Sequence, residues 1–209
     1  AEEREAGATL VERFGAAVPD GYGDDDGEYH AVQTGAGLVD LSFRAMLRLR
    51  GSERLRWLNG QITNEVKALK ASEGRPAAVL TPKGHLVADL VVYGLEDSVL
   101  IDLQRDRAEA VKDAFERHII ADDVQVEVVS DQFARLMLVG PEAQRVATRA
   151  VGATMGDLPP WHHGEARLGD VSLRIASSRW LARPGLDVIA PVDAAGAVWA
   201  ALLRAGRDA

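Results

Sequence analysis

The most regular pattern of apolar and polar positions lies between His85 and Tyr93. Apolar side chains occupy every second position and most positions between, which predicts a strand with two largely apolar faces. The turn residues of segment 82–84, Pro-Lys-Gly, separate this strand from the apolar run 76–81, so a β-hairpin is predicted. Similar runs predict strands at residues 46–50, 99–103, 124–129, 134–140, 171–176 and 186–191.

Helical spacing of apolar residues predicts the remaining elements. Leu10, Val11 and Phe14 have this spacing, and the acidic, Gly-rich stretch from Asp20 to Glu28 predicts a loop. The predicted helices cover residues 8–18, 53–60, 105–118, 141–150 and 193–205. Because hairpins are mixed with helices, the sequence predicts an α+β fold with mixed and antiparallel sheets.

Composition narrows the class of protein. The chain of 209 residues is 47% hydrophobic and 27% charged, as is usual for a folded globular protein. It has no cysteine, which excludes disulfides, thiolate nucleophiles and iron–sulfur clusters bound through its own thiolates. A net charge of −8 disfavours direct nucleic-acid binding. Since Asp89 interrupts the longest apolar run, we expect no membrane span. The absence of cysteine fits a cytoplasmic protein, which is the expected location.

Asp89 is the leading candidate for function. Alternation places it beside Val87, Val91 and Tyr93 on one face of the predicted strand. A carboxylate among apolar side chains is costly to bury unless a positive or hydrogen-donating group meets it. The sequence leaves two partners open for Asp89, namely an internal arginine with a structural role and a ligand.

Further polar residues also have two interpretations each. The segment 58–66, LNGQITNEV, is rich in amides and hydroxyls, which usually cap backbone groups and shape turns. Trp180 and Asp187 flank a turn. Together they would bind a flat heteroaromatic ligand, or the tryptophan would pack in the hydrophobic core. The arginines within residues 44–56 would hold an anionic ligand or pair with carboxylates.

Several common chemistries lack their usual signals. His162 and His163 are adjacent and therefore point apart on a strand, and no third ligand has suitable spacing, so no metal site is expected. The sequence has no G-x-S-x-G motif, P-loop or G-x-G-x-x-G motif. Serine acyl transfer, nucleotide phosphate binding and dinucleotide binding therefore have no support.

Five segments together resemble the T-protein, or aminomethyltransferase, superfamily. The resemblance begins at about Gly35 and implies a tetrahydrofolate-binding fold, with lobes of mixed sheet and helix around a central cavity. The segments, in order, are GLVDLSFRAMLRLRG, LNGQITNEVKAL, LTPKGHLVADLVVY, HIIADDVQVEVVSDQFARLMLVGPEAQ and SSRWLARPGLDVIAP.

The resemblance also implies roles for individual residues. Asp89 becomes the acid beside the reduced pterin, where a fixed anion stabilises positive charge that develops during one-carbon transfer. Val91 and Tyr93 line the same strand. Trp180 corresponds to an aromatic neighbour of the pterin, and Asp187 to a carboxylate that accepts hydrogen bonds from pterin amino groups.

Two departures from the transferase pattern favour the YgfZ branch of the superfamily. Ala88 stands where transferases often have an acid, and the segment 179–185 replaces a G-Y-T-G-E-D-G turn. The resulting expectation is a folate-binding YgfZ-like protein that assists iron–sulfur enzymes or tRNA-modifying enzymes. A tetrahydrofolate-dependent aminomethyltransferase and an interaction module that has lost folate are the alternatives.

The resemblance further predicts a domain organisation. An N-terminal helix and acidic loop occupy residues 1–34, a first α+β lobe residues 35–158, and part of a second lobe residues 159–209. A K-G-C motif of the YgfZ branch and a folate-binding arginine of the transferases are expected downstream of Ala209, so the chain is expected to be truncated.

Overall fold

The computed structural model describes residues 7–152, 158–181 and 183–207. Within these ranges the helices are α1 (Asp25–Thr34), α2 (Arg54–Leu58), α3 (Ala108–Glu116), α4 (Ala143–Val151) and α5 (Ala195–Arg207). The strands are β1 (Thr9–Arg13), β2 (Ala16–Gly21), β3 (Gly37–Asp40), β4 (Arg44–Arg50), β5 (Gly74–Leu80), β6 (Leu86–Gly94), β7 (Val99–Gln104), β8 (Gln125–Val128), β9 (Phe133–Val139), β10 (His163–Leu168), β11 (Val171–Ser178) and β12 (Gly185–Pro191). Short 3₁₀ turns precede α3, β9 and α5.

The chain divides into two compact units. The continuous unit is Phe43–Ser130, and the split unit combines Ala1–Ser42 with Asp131–Ala209. The predicted lobe boundaries at residues 34 and 158 differ from this division, and as a statement about the natural protein they stay a prediction. Helices and antiparallel sheets occur in both units, which confirms the predicted α+β class.

The continuous unit is built on a five-stranded antiparallel sheet in the order β5-β6-β7-β4-β8. One face of β6, with Ala88, Leu90 and Val92, packs into the core beneath α2 and α3. Trp57 of α2 and Phe115 of α3 meet there edge to face, with ring centroids 5.4 Å apart. The strand that carries Asp89 is thus fixed by a neighbour on each side and a packed core below.

The split unit has its own five-stranded antiparallel sheet, in the order β10-β11-β12-β9-β3. Helices α4 and α5 cover one face of it, where Leu138, Val146, Ile175, Val188 and Leu202 form part of the core. The remaining strands, β1 and β2, pair as a separate two-stranded hairpin.

The helix predicted over residues 8–18 is wrong, since β1 and β2 occupy this segment. Phe14 and Gly15 connect the strands with φ angles of +49° and +78°. Two successive residues at positive φ form a tight turn that suits the twist of a hairpin and cannot continue a helix. The cross-strand pairs, such as Val11 with Val18, therefore replace the helical contacts.

The loop predicted over the acidic stretch 20–28 is also wrong in its second half, because α1 begins at Asp25. The side chain of Asp24 accepts a hydrogen bond from the backbone N–H of Gly27 at 3.0 Å and caps the helix. Asp25, Asp26 and Glu28 lie in its first turn, where acidic groups interact favourably with the helix dipole.

Candidate functional site

Asp89 lies near the middle of β6 on the face opposite the core of the continuous unit, as alternation predicted. The carboxylate Oδ2 lies 3.5 Å from Nη1 of Arg44, so the arginine partner left open by the sequence is present. The Asp89 side chain is 40% exposed. It is therefore both held by a cation and open to solvent.

Arg44 reaches Asp89 from β4, across the intervening strand β7. Its guanidinium is 7% exposed and donates from Nε to Oδ1 of Asp102, at 3.1 Å, and from Nη2 to the carbonyl oxygen of Asp102, at 3.3 Å. Asp102 is itself fully buried on β7. We name these three residues the acid–arginine cluster. One buried cation is shared by two carboxylates, and the exposed carboxylate belongs to Asp89.

Val91 and Tyr93 share the Asp89 face of β6 but are both fully buried. Val91 pairs with Asp102 on the next strand, so its position is set by the same ladder that places the acid–arginine cluster. The ligand contact that the resemblance implies for these two residues stays a prediction.

Trp180 follows strand β11 in the split unit, and its side chain is 37% exposed. Its indole meets that of Trp161 edge to face, with ring centroids 5.5 Å apart and planes at 83°. Trp161 has a φ of +65°, which is uncommon for a bulky residue, and its backbone N–H donates to Ser177 O at 3.2 Å. Sequence reasoning missed Trp161, because nothing local indicates that this residue supports Trp180.

Asp187 lies on the central strand β12 of the split unit and is fully buried. Its Oδ2 is 3.4 Å from Nη2 of Arg135, which is also buried, on the neighbouring strand β9. A ligand has no open path to a fully buried carboxylate without local movement. Pterin recognition by Asp187 stays a prediction, and the observed contact is an ion pair within the sheet.

The amide-rich segment 58–66 shapes backbone in the way that such residues usually do. Asn59 accepts a hydrogen bond from the Val66 N–H at 2.9 Å, and Asn64 donates to the Pro76 carbonyl at 2.8 Å. Thr63 accepts from the Ala78 N–H at 2.9 Å. These contacts attach the segment to the edge strand β5, so the motif has a structural role here.

The arginines of residues 44–56 do not form one anion site. Arg56 pairs with Glu53 and Asp122, while Arg54 donates to the carbonyl oxygens of Gly51 and Glu96 at 3.0 Å. Carboxylate and backbone pairing, one of the two interpretations of this cluster, is therefore what the structure contains.

The described ranges contain neither a metal-binding cluster nor a membrane-spanning helix. Residues 7–152, 158–181 and 183–207 contain no group of three or more histidine, aspartate or glutamate side chains arranged to hold a metal ion. His163 is buried and its Nδ1 is 2.9 Å from Nη1 of Arg174. In the same part of the chain, no helix has both the length and the hydropathy required to span a bilayer.

Comparisons with known proteins add a family. A model of the GCVT N-terminal domain matches residues 2–209. The aminomethyltransferase of Bacillus licheniformis is 27% identical over 207 residues, which cover 98% of this chain and 57% of the relative. The aminomethyltransferase of Chlorobium phaeovibrioides is 29% identical over 207 residues, covering 97% and 56%. The chain thus spans about half the length of the curated relatives it matches.

A solved structure shares the fold. The glycine cleavage system aminomethyltransferase T of Bartonella henselae has a TM-score of 0.86 at 22% identity, covering 97% of this chain and 55% of that one. The predicted α+β class with antiparallel sheets is confirmed by this match as well.

The expected YgfZ-like function in iron–sulfur or tRNA-modification pathways is wrong. These curated relatives are named aminomethyltransferases, which was the first alternative. The YgfZ branch was favoured by the departures at Ala88 and segment 179–185. The chain nevertheless matches these aminomethyltransferases over 97–98% of its length, so two local departures do not separate it from them.

Proposed function

Because the chain belongs to the GCVT N-terminal domain family, we propose that the protein containing it is an aminomethyltransferase, which transfers a one-carbon unit from an aminomethyl donor to tetrahydrofolate. The observation that carries this proposal is the half-exposed carboxylate of Asp89, which buried Arg44 holds at 3.5 Å on a strand fixed on both sides.

The charge of the acid–arginine cluster suits this reaction. Two carboxylates and one guanidinium have a net charge of −1 when all three are ionised. Since Asp102 is buried against Arg44, the excess negative charge is presented by Asp89. A fixed anion stabilises positive charge as it develops on the carbon and nitrogen atoms of an aminomethyl group, at no cost of reorganisation during the reaction.

The second carboxylate oxygen of Asp89 can accept a hydrogen bond from a folate. Its Oδ1 atom has no hydrogen-bond partner in the described part of the chain, and a carboxylate oxygen accepts from the N–H groups that a reduced pterin carries. Tetrahydrofolate, when bound, supplies the amine that receives the one-carbon unit. Asp89 orients that amine and exchanges a proton with it.

The stacking role that the resemblance implies for Trp180 stays a prediction, as does the ligand contact of Asp187. The indole of Trp180 is exposed and meets that of Trp161 at 83°. Within the continuous unit we assign Val91 a supporting role, because it is fully buried and pairs with Asp102.

Substitution of Asp89 by Asn in the natural protein that contains this chain tests the proposal. We expect formation of methylene-tetrahydrofolate from an aminomethyl donor to fall by about 100-fold, as for loss of an acid–base group. The free energy of unfolding should change by less than about 1 kcal/mol, because the pair with Arg44 is partly solvated. Asp113→Asn removes the same charge from an exposed position on α3 and is the matched control.

Two results would contradict the proposal in different ways. Normal turnover by Asp89→Asn would remove the role of this carboxylate. Failure of the unsubstituted protein to form methylene-tetrahydrofolate, together with the absence of tetrahydrofolate binding in calorimetry, would remove the transferase function itself.

A further inference from the structure

A cavity of about 350 Å³ lies within the split unit, between the start of α4 and the facing ends of β11 and β12. Pro141 and Gln144 line it at the helix start, Ser177 and Arg179 at the end of β11, and Gly185 at the beginning of β12. None of these residues belongs to the acid–arginine cluster, and the transferase proposal gives the cavity no role.

The start of α4 provides one half of an anion site. The first N–H groups of a helix lack intrahelical acceptors and carry the positive end of the helix dipole. Here the N-cap residue Glu142 makes no capping hydrogen bond through its side chain. Its carboxylate instead pairs with Arg145, which offsets the negative charge near the helix start. The N–H of Ala143 donates to Gly140 O at 3.1 Å, and the Glu142 side chain caps none of the N–H groups at the start of the nine-residue helix α4.

Ser177 is the independent observation that points to a ligand. It is 6% exposed, and it pairs across the sheet with Leu186, which packs in the core under α4 and α5. Its side chain therefore points to the helix side of the sheet and into the cavity. Within the described part of the chain, its Oγ makes no hydrogen bond, so this hydroxyl at the cavity wall can donate to a ligand.

Arg179 adds a full positive charge at the rim. Its side chain is exposed, lines the cavity, and forms no ion pair with any residue in the described ranges. Among the described residues it therefore differs from Arg44 and Arg135, each of which pairs with a carboxylate. A guanidinium beside helix N–H groups can donate hydrogen bonds to the oxygens of a planar carboxylate or a tetrahedral phosphate.

We propose that this cavity binds the oxyanion group, phosphate or carboxylate, of a small molecule. The Ser177 hydroxyl and the guanidinium of Arg179 donate to its oxygens, and the N-terminal end of α4 supplies the favourable dipole. The volume accommodates one such group with a few attached atoms, and the apolar side of the cavity, with Leu158 and Leu186, receives the rest of the molecule.

Calorimetric titration of the natural protein with inorganic phosphate and with acetate, against chloride at equal ionic strength, tests the site. We expect saturable binding of at least one of the two oxyanions, and the stronger one identifies the ligand class. Arg179→Gln and Ser177→Ala should each weaken it by about tenfold, the effect of losing one charge-assisted hydrogen bond.

Two matched control variants distinguish binding in this cavity from a general effect of removing a hydroxyl or a positive charge. Ser172→Ala removes an exposed hydroxyl near the other end of β11, from a residue that does not line the cavity. Arg204→Gln removes an exposed charge on α5. Both should bind phosphate and acetate as the unsubstituted protein does. The proposal is overturned if neither oxyanion binds more tightly than chloride, or if the controls weaken binding as much as Arg179→Gln and Ser177→Ala.

Discussion

Asp89 and Asp187 have similar positions in their sheets but different surroundings. Each lies on an interior strand and meets an arginine from another strand of the same sheet, at 3.5 Å and 3.4 Å respectively. The side chain of Asp187 is fully buried, and its partner Arg135 is almost fully buried. The side chain of Asp89, in contrast, is 40% exposed. The same chemical pair is therefore enclosed in the split unit and open in the continuous unit.

The difference shows that pairing with arginine does not decide between structure and function. Arg135 and Asp187 form a pair that is removed from water, so the charge of each ion is compensated within the protein. Arg44 already has a buried partner in Asp102, and Asp89 is a second, solvated carboxylate on the same cation. The alternatives that the sequence left open for Asp89 thus coexist, because an ion pair with Arg44 leaves one carboxylate oxygen available.

The largest expected effect is on stability at the enclosed pair. Asp187→Ala leaves buried Arg135 without this carboxylate, and we expect it to lower the free energy of unfolding by about 3–5 kcal/mol. Asp89→Ala should lower it by about 1 kcal/mol or less, because water replaces the lost contact. Urea unfolding monitored by tryptophan fluorescence measures both. Equal losses for the two variants would contradict the contrast between an enclosed and an open pair.

A second prediction concerns the coupling energy of Arg44 with each of its two carboxylates, Asp102 and Asp89. Double-mutant cycles that combine Arg44→Met with Asp102→Asn or with Asp89→Asn measure each coupling separately. We expect about 2–3 kcal/mol for the buried contact with Asp102 and less than about 1 kcal/mol for the contact with Asp89. A stronger coupling to Asp89 than to Asp102 would mean that Asp89 mainly stabilises the fold, which would contradict the prediction.

The smallest expected effect is on the pH dependence of stability. It comes from two exposed carboxylates that accept hydrogen bonds from backbone N–H groups. The N–H of Asp123 donates to Glu53 at 2.8 Å and, with Arg56, lowers the pKa of Glu53 below its usual 4.5. The N–H and hydroxyl of Ser52 similarly lower the pKa of Asp123 below its usual 3.8. Because the unfolded chain binds these protons at higher pH, stability that is present at neutral pH is lost as the pH falls through these values.

Urea midpoints measured between neutral pH and about pH 3 test this expectation. The double variant Glu53→Gln, Asp123→Asn should show a weaker dependence on pH than the unsubstituted protein. Lys112→Gln affects a different exposed pair, with Glu116, and should leave the acidic part of the profile in place. Parallel profiles for the unsubstituted protein and the double variant would show that neither carboxylate contributes.

The hairpin that carries Asp89 could be predicted because its signals are local. Alternation fixes the two faces of β6, and the turn before it uses Gly84 at a φ of +80°, where glycine is favoured. The turn is completed by the N–H of His85, which donates to the Thr81 hydroxyl at 3.1 Å. Short-range sterics and hydrogen bonds therefore determine this part of the fold.

The partners of the candidate residues could not be predicted, because they are distant in the sequence. Five arginines lie between residues 44 and 56, and their spacing does not reveal that Arg44 is the one that reaches Asp89. Trp161 supports Trp180 from a left-handed backbone conformation that its side chain does not favour. Strand β10 was missed because its exposed positions are polar and its pairing with β11 is set by the sheet.

The division of the chain has a consequence for the order in which it folds. Strand β3 precedes the continuous unit and β9 follows it, yet they pair directly, with Asp40 opposite Leu136. During synthesis, the interior strand β9 therefore emerges after the whole inserted segment, and by then all five strands of the continuous unit's own sheet have been synthesised. We expect the continuous unit to collapse first on the ribosome. Its collapse shortens the path between β3 and β9, so the split unit closes at a lower entropic cost than across an unstructured loop.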